Sequence, residues 1–174
     1  MSVRFVIDPL EFVKNAGNHH DKIPLDELAR LHDLLFDREG EIIYCITGRF
    51  DQNEKPGLHL QINGKIHLNC QRCLDKLVHT VDLETFLLLA KDEFELYQAD
   101  DDDSVEAILA TPELDVVSLI EEEVILSLSI SSRHAEGECS TLELEATDDH
   151  LDDNPQPAHP AHPFSALAAL KKAN

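Results

Sequence analysis

Cys70 and Cys73 are the residues of this chain whose type and spacing best suit chemistry. A Cys-x-x-Cys pair on a turn bends two sulfurs toward one metal ion, or can cycle as a redox pair. One pair supplies only half of a tetrahedral site. His134 and Cys139, four residues apart in the intervening sequence, are the natural second half and would complete a Cys3His set of the kind that holds structural zinc. Unmetallated thiols are the alternative, and a zinc- or thiol-dependent enzyme centred on the Cys70/Cys73 turn is the rival class. Redox thiols sit where a helix N-terminus lowers their pKa, whereas this pair follows one strand pattern and precedes another. Arg72 could lower a thiol pKa or contact phosphate. Cys45 lies within a strand pattern and reads as structural, and His19 and His20 read as exposed loop residues.

The elements around the pair are legible from periodicity. Leu58, Leu60, Ile62, Ile66 and Leu68 alternate with His59, Gln61, Asn63, Lys65 and His67, which predicts a half-buried strand over 58–69. Ile42, Tyr44, Ile46 and Phe50 predict its hairpin partner over 41–50, and Leu77 to Leu89 predict a third strand over 77–90. The cysteines then lie on the turn between the second and third strands. Residues 3–7 predict a short strand ended by Pro9, and residues 10–22 a helical turn followed by a loop. Leu25, Leu28, Leu31, Leu34 and Leu35 predict an amphipathic helix over 24–36. Asp115 caps a predicted helix over 116–129, with Val116, Val117, Ile120, Val124 and Leu128 on one face and Glu121, Glu122 and Glu123 largely on another. Gly48 and Gly64 mark bulges or close packing.

A chain of 174 residues fits one ordinary domain with tails. Its net charge of −21 is unevenly placed: residues 1–91 carry 11 Lys/Arg and 14 Asp/Glu, while residues 92–170 carry Arg133 alone against 21 acids. Such a surface repels phosphate backbones and attracts basic partners. No apolar run is long enough to span a membrane and no secretory leader is visible, so the expectation is a cytoplasmic protein with reduced thiols. Phosphate loops, metalloprotease, hydrolase and deaminase signatures are absent, as is the glycine of a calcium loop at Asp100–Asp103, and no small-molecule substrate is evident. Residues 140–162, acidic and proline-bearing, predict a flexible linker. Residues 163–174 predict a short helical motif presenting Phe164, Leu167 and Leu170, suited to docking in cis or on a partner.

Several of these features recur together elsewhere. Cys70-Gln71-Arg72-Cys73, Leu114-Asp115 through Glu121-Glu122-Glu123-Val124-Ile125-Leu126, His134 to Cys139 and the ending Pro163 to Lys171 resemble, in that order, the bacterial YceD family of large ribosomal RNA subunit accumulation proteins. Some relatives carry a second Cys pair near His134 and Cys139, where this chain has one cysteine. The resemblance implies a non-enzymatic cytoplasmic factor needed for synthesis, processing or stability of large-subunit ribosomal RNA. The fold expectation is an α+β domain over 1–139, an antiparallel sheet with flanking helices and a flexible acidic C-terminal tail. Expected partners are a large-subunit precursor particle, a basic ribosomal protein or ribosomal RNA. His59, Lys65 and His67 on the sheet, with Gln71 and Arg72 on the turn, are candidate partner contacts.

Overall fold

Period-two alternation builds the centre of the molecule. In the computed structural model, which describes residues 5–100 and 105–139, the short strand β1 (Val6–Ile7) leads into helix α1 (Pro9–Lys14). Strands β2 (Asn18–Pro24), β3 (Glu41–Phe50), β4 (Pro56–Asn69) and β5 (Lys76–Ala90) then pair antiparallel in sequence order. Helix α2 (Glu93–Asp100) carries the chain over to β6 (Glu106–Leu109), which lies parallel to the end of β5. Strand β7 (Leu114–Asp115) pairs with β1 in a separate two-stranded ribbon and opens directly into helix α3 (Val116–Ser127). All described residues fall in one compact unit, and the architecture is α+β.

The apolar half of each alternation points inward. Leu58, Leu60, Ile62 and Ile66 of β4 and Ile42 and Ile46 of β3 are fully buried, as are Val116, Ile120 and Val124 of α3. The opposite face of the sheet, bearing Gln61, Asn63 and Lys65, is exposed. The predicted hairpin and third strand therefore stand, as does the capped helix: the Asp115 carboxylate accepts from the Val117 and Ser118 amides at 3.1 and 3.3 Å.

Two expectations are corrected. Residues 24–36 are not an α-helix but two 3-10 turns, Leu25–Glu27 and Ala29–Leu31, followed by a bridge from Leu35 to Leu68. Leu25, Leu28 and Leu31, all fully buried, recur every three residues. That is the 3-10 period, on which residues i and i+3 eclipse. The loop expected up to residue 22 is instead most of the edge strand β2, Asn18–Pro24, in which only Ile23 is buried. An edge strand that is polar on both faces carries no alternation to detect. Its His19 stacks on Phe5 with ring centroids 3.9 Å apart.

Gly48 and Gly64 sit in unbroken ladders, so close packing rather than bulging explains them. A Cβ at Gly48 would stand 2.8 Å from Val13 Cα and 2.9 Å from Phe12 O, both backbone atoms of α1. Gly48→Ala should therefore cost about 2 kcal/mol by forcing α1 off the sheet, read as a lowered urea midpoint.

The three consecutive glutamates of α3, expected largely on one face, divide between solvent and core. Glu122 is exposed and lies 3.7 Å from Arg30, but Glu121 and Glu123 are buried. Glu121 Oε1 accepts from the backbone N–H of Arg30 at 2.6 Å and of Leu31 at 3.3 Å, tying α3 to the second 3-10 turn. Glu123 meets no hydrogen-bond donor or cation among the described residues. Burial, with Glu106 and Glu122 nearby, pushes its carboxyl up to about 7. A carboxyl raised on folding keeps its proton to higher pH in the native than in the unfolded state, so its contribution is present below pH about 4.5 and is lost as pH rises through 7. Glu123→Gln should match the parent at about pH 4 and exceed its stability at pH 8 by up to roughly 3 kcal/mol, measurable by denaturation at both pH values.

Candidate metal centre

Strand β4 ends at Asn69 and β5 begins at Lys76, leaving six residues to reverse the chain. The Cys70 amide donates to Asp75 O at 3.0 Å and the Leu74 amide to Cys70 O at 2.9 Å. Leu74 takes the left-handed conformation, φ 62°, that closes so tight a turn. The turn buries Cys70 completely and leaves Cys73 partly exposed.

A second limb comes from the segment after α3. The Gln71 amide donates to Ser132 O at 2.9 Å, laying residues 132–139 against the turn. His134 and Cys139 arrive beside the two cysteines, and the four ligand atoms all lie within 4.8 Å of one another. Individual separations are 3.7 Å from Cys70 Sγ to Cys139 Sγ, 3.4 Å from Cys73 Sγ to His134 Nδ1 and 3.8 Å from Cys139 Sγ to His134 Nδ1. Tetrahedral zinc with bonds of about 2.3 Å to sulfur sets sulfurs about 3.8 Å apart. A disulfide would bring them to about 2 Å. The four sequence-predicted ligands therefore converge at the spacing of a shared ion.

The surroundings also suit a cation. His134 Nε2 donates to the carbonyl of Lys76 at 3.1 Å, which leaves Nδ1 as the unprotonated nitrogen facing the sulfurs. This is the arrangement that orients an imidazole for a metal. Burial pushes the Cys70 thiol up, but the backbone N–H groups of Cys73, His134 and Arg72 outweigh it and bring the thiol down to about 5. The Asp75 amide lowers the Cys73 thiol, while burial and the sulfurs of Cys70 and Cys139 raise it further. His134 is raised by Cys139, Cys70 and the Lys76 carbonyl. Three thiolates and an imidazole around a divalent ion leave one negative charge, and Arg72 answers it. Its Nε donates to Cys139 Sγ at 2.9 Å, and a terminal nitrogen donates to the carbonyls of His134 and Ala135 at 3.4 and 3.2 Å.

Among the described residues this is the group of cysteine, histidine and acidic side chains that could hold a metal ion. A family comparison decides where the chain stands. The family model described as large ribosomal RNA subunit accumulation protein YceD matches residues 58–171, both limbs of the cluster included. The chain belongs to the YceD family. No curated protein and no solved structure matches it.

The other candidate contacts of this YceD chain are more scattered. His59 and Lys65 share the outer sheet face, where His59 Nε2 lies 2.7 Å from Glu84. His67 Nδ1 lies 2.7 Å from Asp37, whose other oxygen meets Lys76 Nζ at 2.8 Å. Lys76 and His67 hold the Asp37 carboxyl well below the usual carboxylate range. Gln71 caps the Asn69 carbonyl at 3.3 Å, and Arg72 turns into the cluster rather than outward. Phe164, Leu167 and Leu170, with the linker 140–162 and the motif 163–174, lie outside the described residues. Glu121 and Glu123 escaped sequence reasoning because a buried glutamate and a solvated one look alike inside a run of three.

Proposed function

We propose that the chain acts in ribosome biogenesis as a non-enzymatic factor that binds a basic protein of the large subunit, free or within a precursor particle, with zinc held by Cys70, Cys73, His134 and Cys139 as a structural clip. Family membership supports the biogenesis role. The choice of a basic partner is carried by one observation, the 21 acids against Arg133 alone over residues 92–170. Zinc in this site would supply a crosslink between the β4–β5 turn and the segment after α3. Four protein ligands leave no open position for a substrate, which favours a structural over a catalytic ion. Cavities of about 550 and 750 Å³ lie beside α3 and beside α2, with no cysteine among their lining residues. No helix among the described residues is long and apolar enough to cross a membrane, and a factor of this kind works in the cytoplasm, where bacterial ribosomes are assembled. Phe164, Leu167 and Leu170 are the proposed second contact with the partner.

RNA contact is a second reading, favoured by the outer sheet face. Lys22, Arg49, Lys65 and Lys76 lie on it; Lys22 is paired with Glu41 and Lys76 with Asp37, which leaves Arg49 and Lys65 as cations without an acidic partner among the described residues. Incubation of the purified chain with isolated large-subunit proteins and with bare large-subunit ribosomal RNA, at physiological salt, separates the two. Recovery of a basic ribosomal protein is expected. Tight recovery of bare RNA with no protein would overturn the proposal.

A further inference from the structure

Strand β5 is fifteen residues long, and its two edges are treated differently. One edge pairs with β4 along its length, from Lys76 to Leu88. The other pairs with β6 only from Leu87 to Ala90. Residues 77–86 have no strand on that side among the described residues. Every second residue there directs its N–H and C=O outward, which is a template for another strand. Proteins blunt such edges with proline, lysine or a covering segment; residues 77–86 contain no proline or lysine, and no strand among the described residues lies along them on this side.

Beside this edge, in line with β6, runs a cleft of about 550 Å³ between the sheet and α3. Leu83, Leu87 and Leu119 give it apolar walls, and Glu84, Glu106, Glu122 and Glu123 give it charge, with Glu84 meeting His59. Glu106 is bonded to the Thr85 hydroxyl, and Glu122 faces Arg30. Glu123 is different. Its residue is 9 % exposed, it lines the cleft, and no donor or cation reaches it among the described residues. Every side-chain oxygen sealed from solvent has a partner, so the Glu123 carboxylate opens into the cleft. A buried carboxylate without a cation costs stability, and the missing counter-charge is what a ligand would bring.

We infer that the open edge of β5 takes an extended basic peptide segment as an added strand, with a Lys or Arg side chain of that segment reaching into the cleft to Glu123. Main-chain hydrogen bonds to β5 supply affinity, and alternate side chains enter the cleft, as in other cases of strand addition. This chain's own linker does not fit: residues 140–162 hold six acids and no Lys or Arg. The inference rests on the reading of a basic protein partner and gives that partner a binding surface.

The test uses the full chain and synthetic peptides of about eight residues. One alternates Lys with Val. A second is the same peptide with every second amide N-methylated, and a third alternates Glu with Val. Fluorescence anisotropy should show the Lys/Val peptide bound, the methylated and Glu/Val peptides unbound, and Glu123→Gln weaker by about tenfold. Because that substitution removes an unpaired buried charge, lost binding cannot be put down to unfolding. Hydrogen exchange should slow at residues 77–86 when the Lys/Val peptide binds. Equal affinity of Glu123→Gln, equal affinity of the methylated peptide, or slowed exchange along β2 instead would overturn the inference. So would tighter peptide binding after deletion of residues 163–174, which would make the lysine-bearing end of this chain the occupant. A basic ribosomal protein recovered equally by the parent and by Glu123→Gln would sink the inference and leave the proposed function standing. Recovery by neither would sink the proposed function itself.

Discussion

Cys70→Ser should abolish binding of the proposed zinc and lower stability by at least about 3 kcal/mol, the largest effect expected of any single substitution in this chain. Cys70 is the fully buried member of the cluster, and its sulfur faces Cys139 at 3.7 Å across the two limbs. Removing one of four ligands weakens a tetrahedral site by orders of magnitude. Binding energy in a structural site is folding energy, because the unfolded chain has no preformed site. The loss should be local. Residues 132–139 would come away from the turn, where the Gln71 and Arg72 contacts now hold them, while the core beneath β4 stays formed. Chelator added to the parent protein should reproduce the effect, and Cys45→Ser, on the outer sheet face away from the cluster, should leave both metal and stability unchanged. Unfolding followed with and without chelator measures this. Equal midpoints for parent, Cys70→Ser and chelated protein would contradict it.

The second large effect lies at Glu121. Its carboxylate is the acceptor for two backbone amides some ninety residues away in sequence. Glu121→Ala would strand both, one of them fully buried, at a cost of about 2–4 kcal/mol. Glu121→Gln keeps an acceptor oxygen in place and should recover more than half of that. Glu122→Ala, next along the same helix but solvent-exposed, should change stability by less than about 0.5 kcal/mol. Urea unfolding of the three variants orders them. If Glu121→Ala proved as mild as Glu122→Ala, the carboxylate would not be what pins the 3-10 turn.

The central hairpin was legible in the sequence because β4 alternates without a break and the Cys pair falls where the alternation stops. The convergence of Cys70, Cys73, His134 and Cys139 was legible for a chemical reason: few residue types suit a soft divalent ion, and this chain has only four cysteines to draw on. What periodicity misread was the leucine run from 25 to 35, where spacings of three and four were taken for an α-helix; the fully buried Leu25, Leu28 and Leu31 follow spacings of three, and Leu35 is buried instead through its bridge to Leu68. The strand at 18–24 was hidden because only Ile23 is buried in it. The roles of Arg72, Glu121 and Glu123 depend on contacts with residues sixty to ninety positions away, or on the lack of one, and no local pattern carries that information.

The account turns on Cys70, Cys73, His134 and Cys139 sharing one ion. Metal analysis of the chain purified without chelator tests it most directly, combined with thiol titration of the native protein. The prediction is one zinc per chain, with Cys45 the sole thiol free to react, and no zinc in Cys70→Ser or Cys139→Ser. Protein with no stoichiometric zinc and all four thiols reactive would contradict it.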